Sequence, residues 1–400
     1  VPKARPIKAG WALVQSVEIA PEPMANGKDH QYLLPAGLKD GLPPDAAFEA
    51  AMVERLMACF AAWGYERVKP PLIEFEDALL SGMGAAMAAD TFRLMDPVSQ
   101  RMMGLRADMT PQVGRIAASR LKGSARPLRL SYAGQVLRVK GEQMRPERQI
   151  GQAGIELIGT EGAAADAEAV LLAAEALRQV GVAQLVVDLN APMLAVSYLR
   201  ESGIADPAPI VAALDRKDAA AVKDLGGRLA PVLQQLMNAV GAPPQALDRL
   251  SAIALTPDAA AQRDRLIDVA KLVQAAAPDL GLNIDPTDHR GFEYHTGVTF
   301  SLLGRGVAGE FGRGGRYVNQ AGEDATGFTL YLDTLSAALP APKPARRVFL
   351  PRGTSHDAAS RLRQEGWVTI HALHSGVEDE KEARRLGCSH LWRNGAVQML

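Results

Sequence analysis

Two long stretches of strand pattern, Leu128–Val139 and Gln149–Ile158, joined by the polar loop KGEQMRPER, constrain the fold of this chain more than any other feature. Side chains along a strand alternate between faces, so Gln152 and Glu156 fall on one side of a sheet, with Gly154 clearing space between them. Arg138 sits in the first strand of the pair. A carboxylate, an amide and a guanidinium facing one cavity suit a small zwitterion. A solvated sheet face is the other reading of the same alternation, and periodicity alone does not choose.

The flanking segments supply helices and shorter strands. Pro43 and Pro44 stand just ahead of a helix in which Phe48, Met52, Leu56, Phe60 and Trp63 recur at helical spacing, and Gly64 stops it. YERVKPPLIEF is extended, and its double proline limits it to an edge or interface strand. Short strands are expected around Thr91–Met95 and Arg101–Arg106, separated by a turn at Asp96-Pro97. Pro111 begins a helix that runs to about Arg120. Residues 166–180 form an Ala- and Leu-rich amphipathic helix, and LVVDLN is a buried strand. From Ala191 to about Leu280 the pattern is helical, broken by proline turns, and strand patterns resume at Phe292–Leu303. After the linker LPAPKPARR, the segments VFLP, HDAASRLRQEG, VTIHAL, EDEKEARRLG and SHLWR alternate strand and helix, which predicts a small α/β domain with a parallel sheet. The expected division is a flexible N-terminal extension over 1–29, with Met24 a candidate start. A core follows over 30–190 and 282–340, with a helical insertion over 191–281 and the α/β domain over 341–400.

Bulk properties narrow the function. A chain of 400 residues exceeds one compact core, so two or three domains are expected. A net charge of −1 argues against the broad basic surface that a tRNA-binding enzyme uses. Cys59 and Cys388 lie far apart and fit neither a disulfide framework nor a zinc site, which favours a reducing, cytoplasmic setting. No apolar run approaches the roughly 20 residues that cross a bilayer. Gly304-x-Gly306-x-x-Gly309 has the spacing of a dinucleotide fingerprint but opens no helix, so hairpin glycines are expected there. Cys388-Ser-His390 has no second pair nearby, and a structural role is expected over a metal site. No metal and no cofactor are predicted.

Taken in order, several segments resemble histidyl-tRNA synthetases, from about Tyr32 to Leu335. GYERVKPPLIEF resembles the first class II motif, with Pro71 at the dimer-forming position. LRADMTP resembles the family's Leu-Arg-Pro-Glu-Gly-Thr segment, and the strand-loop-strand around Arg138 resembles the second motif. RGFEYHTGVTF and GRGGRYV resemble the two segments that mark histidine specificity, and GFTLYLDTL falls where the third motif belongs. The resemblance implies an α+β fold, an antiparallel six- or seven-stranded class II sheet flanked by helices. It further implies that Asp108 and Thr110 hold the amino group of histidine, with Gln152 near the same group. Glu156, Tyr294 and Tyr317 would line the amino-acid pocket, and Arg290 would lie near the substrate carboxylate and the reacting phosphate. His295 replaces a second tyrosine that would touch the imidazole.

The departures concern the nucleotide. Adenylation in this class uses one arginine from motif 2 and one from motif 3. Arg138 supplies the first, but Thr334 stands at the second, and losing such a contact costs on the order of 2–4 kcal/mol of transition-state stabilisation. Lys140, a donor only, replaces a carboxylate that would accept from the adenine amino group. The region after Pro340 is shorter than an anticodon-binding domain of about 100 residues. These departures resemble those of the regulatory subunits of ATP phosphoribosyltransferase within the family. The resemblance then implies a non-catalytic chain, a homodimer within a hetero-oligomer. It would activate a short-form ATP phosphoribosyltransferase catalytic subunit and mediate feedback inhibition by histidine in the first step of histidine biosynthesis, with no tRNA and no membrane as partner. An active histidyl-tRNA synthetase and a synthetase-like amino-acid-binding module with another partner are the alternatives.

Overall fold

The computed structural model describes residues 32–141, 145–289, 294–340, 344–374 and 378–400, so the N-terminal extension and Met24 lie outside it. Helix α1 (Asp45–Ala62) begins directly after Pro44 and buries Met52, Leu56 and Phe60. It ends where Gly64 adopts φ +85°, the left-handed turn that glycine takes without steric penalty. The extended double-proline segment forms two short strands, β1 (Glu66–Arg67) and β2 (Ile73–Phe75), and leads into α2 (Glu76–Leu79). Strands β3 (Arg93–Met95) and β4 (Met102–Leu105) flank a turn in which the Asp96 carboxylate accepts from the Val98 and Ser99 amides, both at 3.1 Å. Helix α3 (Thr110–Ser119) follows with Pro111 in its first turn.

The two long strands are β5 (Leu128–Leu137) and β6 (Gln149–Ile158), antiparallel in unbroken register from Leu128↔Ile158 to Leu137↔Gln149. Then come α4 (Ala163–Val180), β7 (Leu185–Asn190) and a helical stretch: α5 (Pro192–Glu201), α6 (Ala208–Asp215), α7 (Ala219–Gly226), α8 (Ala230–Asn238), α9 (Gln245–Ser251) and α10 (Pro257–Ala276). Strands β8 (Gly281–Asp285), β9 (His295–Gly304), β10 (Glu310–Val318) and β11 (Asp324–Tyr331) return to the sheet, and α11 (Leu332–Ala338) closes it.

The sheet order is β1-β5-β6-β11-β10-β9-β7-β8. Its six inner strands, β5 to β7 in that order, are antiparallel, but β1 joins β5 and β8 joins β7 in parallel. The sheet is therefore mixed, which corrects the purely antiparallel expectation at both edges. Strand β8 was also missed in the sequence. Its five residues are half-buried over the first three positions, so no period-two pattern emerges.

One face of the sheet carries Ile155, Phe300, Phe328 and Leu330 into the main core with α1 and α4. Helix α10 joins that same core through Leu266, Val269, Ala270 and Val273. Leu199, Leu214, Val222 and Leu233 of α5 to α8 form a separate cluster. The expected helical segment is thus tied to the sheet it interrupts at both ends, since Leu194 of α5 and Leu247 and Leu250 of α9 also join the main core.

The C-terminal residues form β12 (Arg347–Leu350), α12 (His356–Gln364), β13 (Val368–His371), α13 (Asp379–Arg385), β14 (His390–Arg393) and β15 (Ala396–Met399). Strands β13, β12 and β14 are parallel, as the alternating pattern predicts, and β15 adds an antiparallel edge. That last hairpin was missed although it is written plainly. Asn394 and Gly395 take φ +51° and +76°, the two positive values that an Asn-Gly hairpin turn requires. Gly306 and Gly309, likewise at positive φ, lie in the turn between β9 and β10. Cys388 is buried in the core of the small sheet. Among the described residues, no helix is long and apolar enough to cross a membrane, and no cluster of His, Cys, Asp and Glu could hold a metal ion.

Candidate functional site

The sheet face opposite the main core lines a cavity of about 500 Å³. Glycines make the room: Gly327 and Gly315 lie in the cavity lining, and Gly154 beneath them makes way for Tyr132. A Cβ at Gly327 of β11 would stand 2.1 Å from Glu156 Oε2, one at Gly154 of β6 would stand 2.5 Å from the Tyr132 hydroxyl, and one at Gly315 of β10 would meet Thr299 at 2.7 Å. Helix α3 and the short turn around Met87 enclose the cavity from the other side, with Asp108, Thr110, Met87 and Asp90 in its wall.

At the inner end, the Glu156 carboxylate is almost wholly buried. Tyr317 donates to its Oε2 at 2.7 Å and Tyr132 to its Oε1 at 3.3 Å. The Tyr132 hydroxyl also lies 2.8 Å from Thr329 Oγ1 and 3.2 Å from Thr110 Oγ1. Burial pushes the Glu156 carboxyl up to about 8, with the nearby Asp108 adding to the rise and the hydroxyl donors opposing it. Tyr132, Tyr294 and Tyr317 are pushed well above the usual phenol value, first by burial and then by these carboxylates, so they remain neutral donors.

Asp108 precedes α3, and its Oδ1 accepts from the Thr110 amide at 2.8 Å. Its Oδ2 accepts from Gln152 Nε2 at 3.1 Å, while Gln152 Oε1 accepts from the Met109 amide at 3.1 Å. Gln152 is fully buried and does not line the cavity. It fixes the rotamer of Asp108, which does. The chemical consequence is an acidic wall with a preset geometry, suited to a protonated amine.

The outer end is basic. Arg138 and Arg313 line it together with Tyr331, and the Arg145 guanidinium lies 3.9 Å from the centroid of the Tyr331 ring. Arg313 Nε donates to Glu310 Oε1 at 2.8 Å. Tyr294 and His295 form the remaining wall, their rings stacked at 4.2 Å between centroids, with Tyr294 edge-on to Tyr317 at 6.1 Å.

The structure thus brings Asp108, Thr110, Arg138, Glu156, Tyr294, His295 and Tyr317 around one cavity, with Gln152 one layer behind. Arg290 lies outside the described residues. Lys140 is exposed, and Thr334 sits half-buried in α11, outside the cavity lining. Sequence reasoning missed Tyr132, Thr329, Tyr331 and Arg313. Tyr132 was within reach, because counting back from Arg138 by twos along β5 arrives at it. Thr329 and Tyr331 alternate with the core residues Phe328 and Leu330 in the same way. Arg313 was within reach too, since β10 pairs with β11 in unbroken register from Gly312 to Val318 and counting back by twos from Tyr317 arrives at it.

The mixed sheet, the strand pair carrying the polar face and the cavity lined by Asp108, Glu156 and Arg138 define a class II synthetase-like protein. The family model described as histidyl-tRNA synthetase matches residues 37–335. A solved structure described as an ATP phosphoribosyltransferase regulatory subunit/histidyl-tRNA synthetase from Bacillus halodurans C superposes with a TM-score of 0.76. It is 23% identical, covers 89% of this chain and 96% of its own, and shares the fold. Among curated proteins, the ATP phosphoribosyltransferase regulatory subunit of Paramagnetospirillum magneticum is 55% identical over 92% of this chain and 98% of its own length. That of Rhodospirillum centenum is 56% identical over 92% and 96%. The chain belongs to the family of ATP phosphoribosyltransferase regulatory subunits, within the histidyl-tRNA synthetase class.

Proposed function

We propose that this chain binds free histidine in the cavity and, through it, controls a short-form catalytic subunit of ATP phosphoribosyltransferase. The chain would activate that partner and convey inhibition by the pathway's end product. The observation that carries the reading is the polarity of the cavity. Asp108 and Glu156 face an amino group and a ring nitrogen at one end, and Arg138 faces a carboxylate at the other, so each charge of a zwitterion meets its opposite. The stacked pair Tyr294 and His295 would take the face of an imidazole.

The same geometry speaks against adenylation. The position of the second phosphate-binding arginine is Thr334, which does not reach the cavity, and the position of the adenine acceptor is the exposed Lys140. One observation favours the second reading, a working synthetase, because Arg138 and Arg313 place two arginines in the cavity wall. Arg313, however, is paired with the Glu310 carboxylate, which offsets its charge towards a triphosphate. We further propose that the chain acts without tRNA, as a homodimer within a hetero-oligomer, and that residues 191–281 and 341–400 are units appended to the synthetase-like core.

Regulation requires that histidine bind one state of the complex better than another, with a typical coupling of about 1–3 kcal/mol. The test is a phosphoribosyl-transfer assay on the short catalytic subunit, with and without this chain and histidine. Activation by the chain, reversed by histidine, is expected. Histidine-dependent ATP–pyrophosphate exchange by the chain alone would overturn the reading in favour of the synthetase.

A further inference from the structure

We propose that Arg313 is a ligand-reading residue that shares the carboxylate of a free α-amino acid with Arg138, and that Glu310 is the residue that positions it. The inference rests on the reading that histidine occupies the cavity, and it names what discriminates the amino acid from its decarboxylated or reduced relatives.

The placement comes from the sheet. Arg313 pairs across to Thr329, while Gly315 on β10 pairs with Gly327, which in turn pairs with Glu156. Arg313 is therefore one rung along the ligand-facing side from the inner carboxylate, towards the end where Tyr331 and Arg138 stand. Residues three apart on a regular strand face opposite sides, but the irregularity between Glu310 and Gly312 brings Glu310 round to Arg313. Two guanidinium nitrogens of Arg313, Nε and Nη2, then contact the single oxygen Glu310 Oε1. The other oxygen of Glu310 accepts from Ser301 Oγ at 3.3 Å, so the carboxylate itself is anchored to β9. This arrangement sets the plane of the guanidinium, and a planar fork recognises a carboxylate through paired N–H donors.

Charge decides which anion fits. Glu310 sits beside Arg313, so a polyanion brought to this end meets a fixed carboxylate as well as the arginines, whereas a single carboxylate meets matched partners. The inner wall disfavours the reverse orientation, because a ligand carboxylate placed there would face the like charge of Asp108, the same repulsion that helps to keep Glu156 protonated.

Calorimetry on the full chain tests this with L-histidine and L-histidinol, which differ by the carboxylate. Wild type is expected to prefer L-histidine by about 100-fold, and Arg313→Gln to weaken L-histidine by about 10- to 100-fold while leaving L-histidinol unchanged. Glu310→Gln should lose part of the preference, a result that simple destabilisation would not give, because both ligands would then weaken together. Arg313→Lys keeps the charge without the fork and should fall between, which keeps the test open if the Gln variant folds poorly. An unchanged ratio in both Arg313 variants would overturn the proposal. So would competition between pyrophosphate and histidine that depends on Arg313. A wild-type chain that binds neither compound would remove the functional reading itself, a different failure from an unaltered ratio.

Discussion

At its inner end the cavity presents Glu156, Tyr317 and Thr110, all buried and joined by hydrogen bonds through Tyr132 behind them, whereas its outer end presents the half-buried Arg138 and Arg313. The inner groups come from β5, β6, β10 and the start of α3, so their positions are fixed by sheet pairing and by one helix terminus. The outer groups are long side chains, Arg138 just past the end of β5 and Arg313 within β10. A buried network of this kind has few alternative arrangements and punishes the loss of any member, while long charged side chains adapt. The two ends should therefore respond differently to substitution: the inner end in affinity and stability together, the outer end in affinity alone.

The largest effect should follow Glu156→Ala. It removes the acceptor of two tyrosine hydroxyls, and histidine binding measured by calorimetry should fall at least about 100-fold, with a lowered melting temperature. Binding within threefold of wild type would place the sensor elsewhere.

A smaller but more diagnostic effect concerns pH. The Glu156 carboxyl titrates near 8 in the folded chain against a reference value of 4.5, so the folded state keeps a proton that the unfolded state releases. Stability should accordingly fall as pH rises from about 4.5 to about 8 and then level off, by an amount on the order of a few kcal/mol. Glu156→Gln removes this dependence. Its unfolding free energy, followed by denaturant titration across that window, should draw ahead of wild type as pH rises. Parallel curves would show that the carboxylate is ionised at neutral pH.

The smallest effect is expected at the outer end. Arg138→Gln should weaken histidine by about tenfold yet change unfolding free energy by less than about 0.5 kcal/mol. A large loss of stability there would erase the distinction between the two ends.

Strand regularity governs what the sequence makes legible. Counting by twos from Gln152 to Glu156, from Arg138 back to Tyr132 and from Tyr317 back to Arg313 follows the actual face. Glu310 is not reached in this way, because the irregularity between Glu310 and Gly312 turns it to the face of Arg313, and such irregularities leave no mark in composition or period. The fold follows this logic too. The long β5–β6 pair and α1 stand out in the sequence because burial imposes a period on each. Strand β8 does not, because its side chains are only partly covered and its parallel partner β7 lies some ninety residues upstream, beyond six helices. The β14–β15 hairpin is legible at Asn394-Gly395, a turn signal that is local and owes nothing to the period of the parallel strands ahead of it.

The glycine floor has a consequence for how such a chain can change its taste in ligands. A single added carbon at Gly327 collides with Glu156, and one at Gly315 meets His295 at 2.9 Å, so the floor cannot be raised to favour a smaller guest without dislodging the groups that recognise it. Nor can the walls be trimmed for a larger guest at no cost, since Tyr132 and Tyr317 both donate to that same carboxylate. New preferences in descendants of this protein would have to be acquired at the rim, one long side chain at a time.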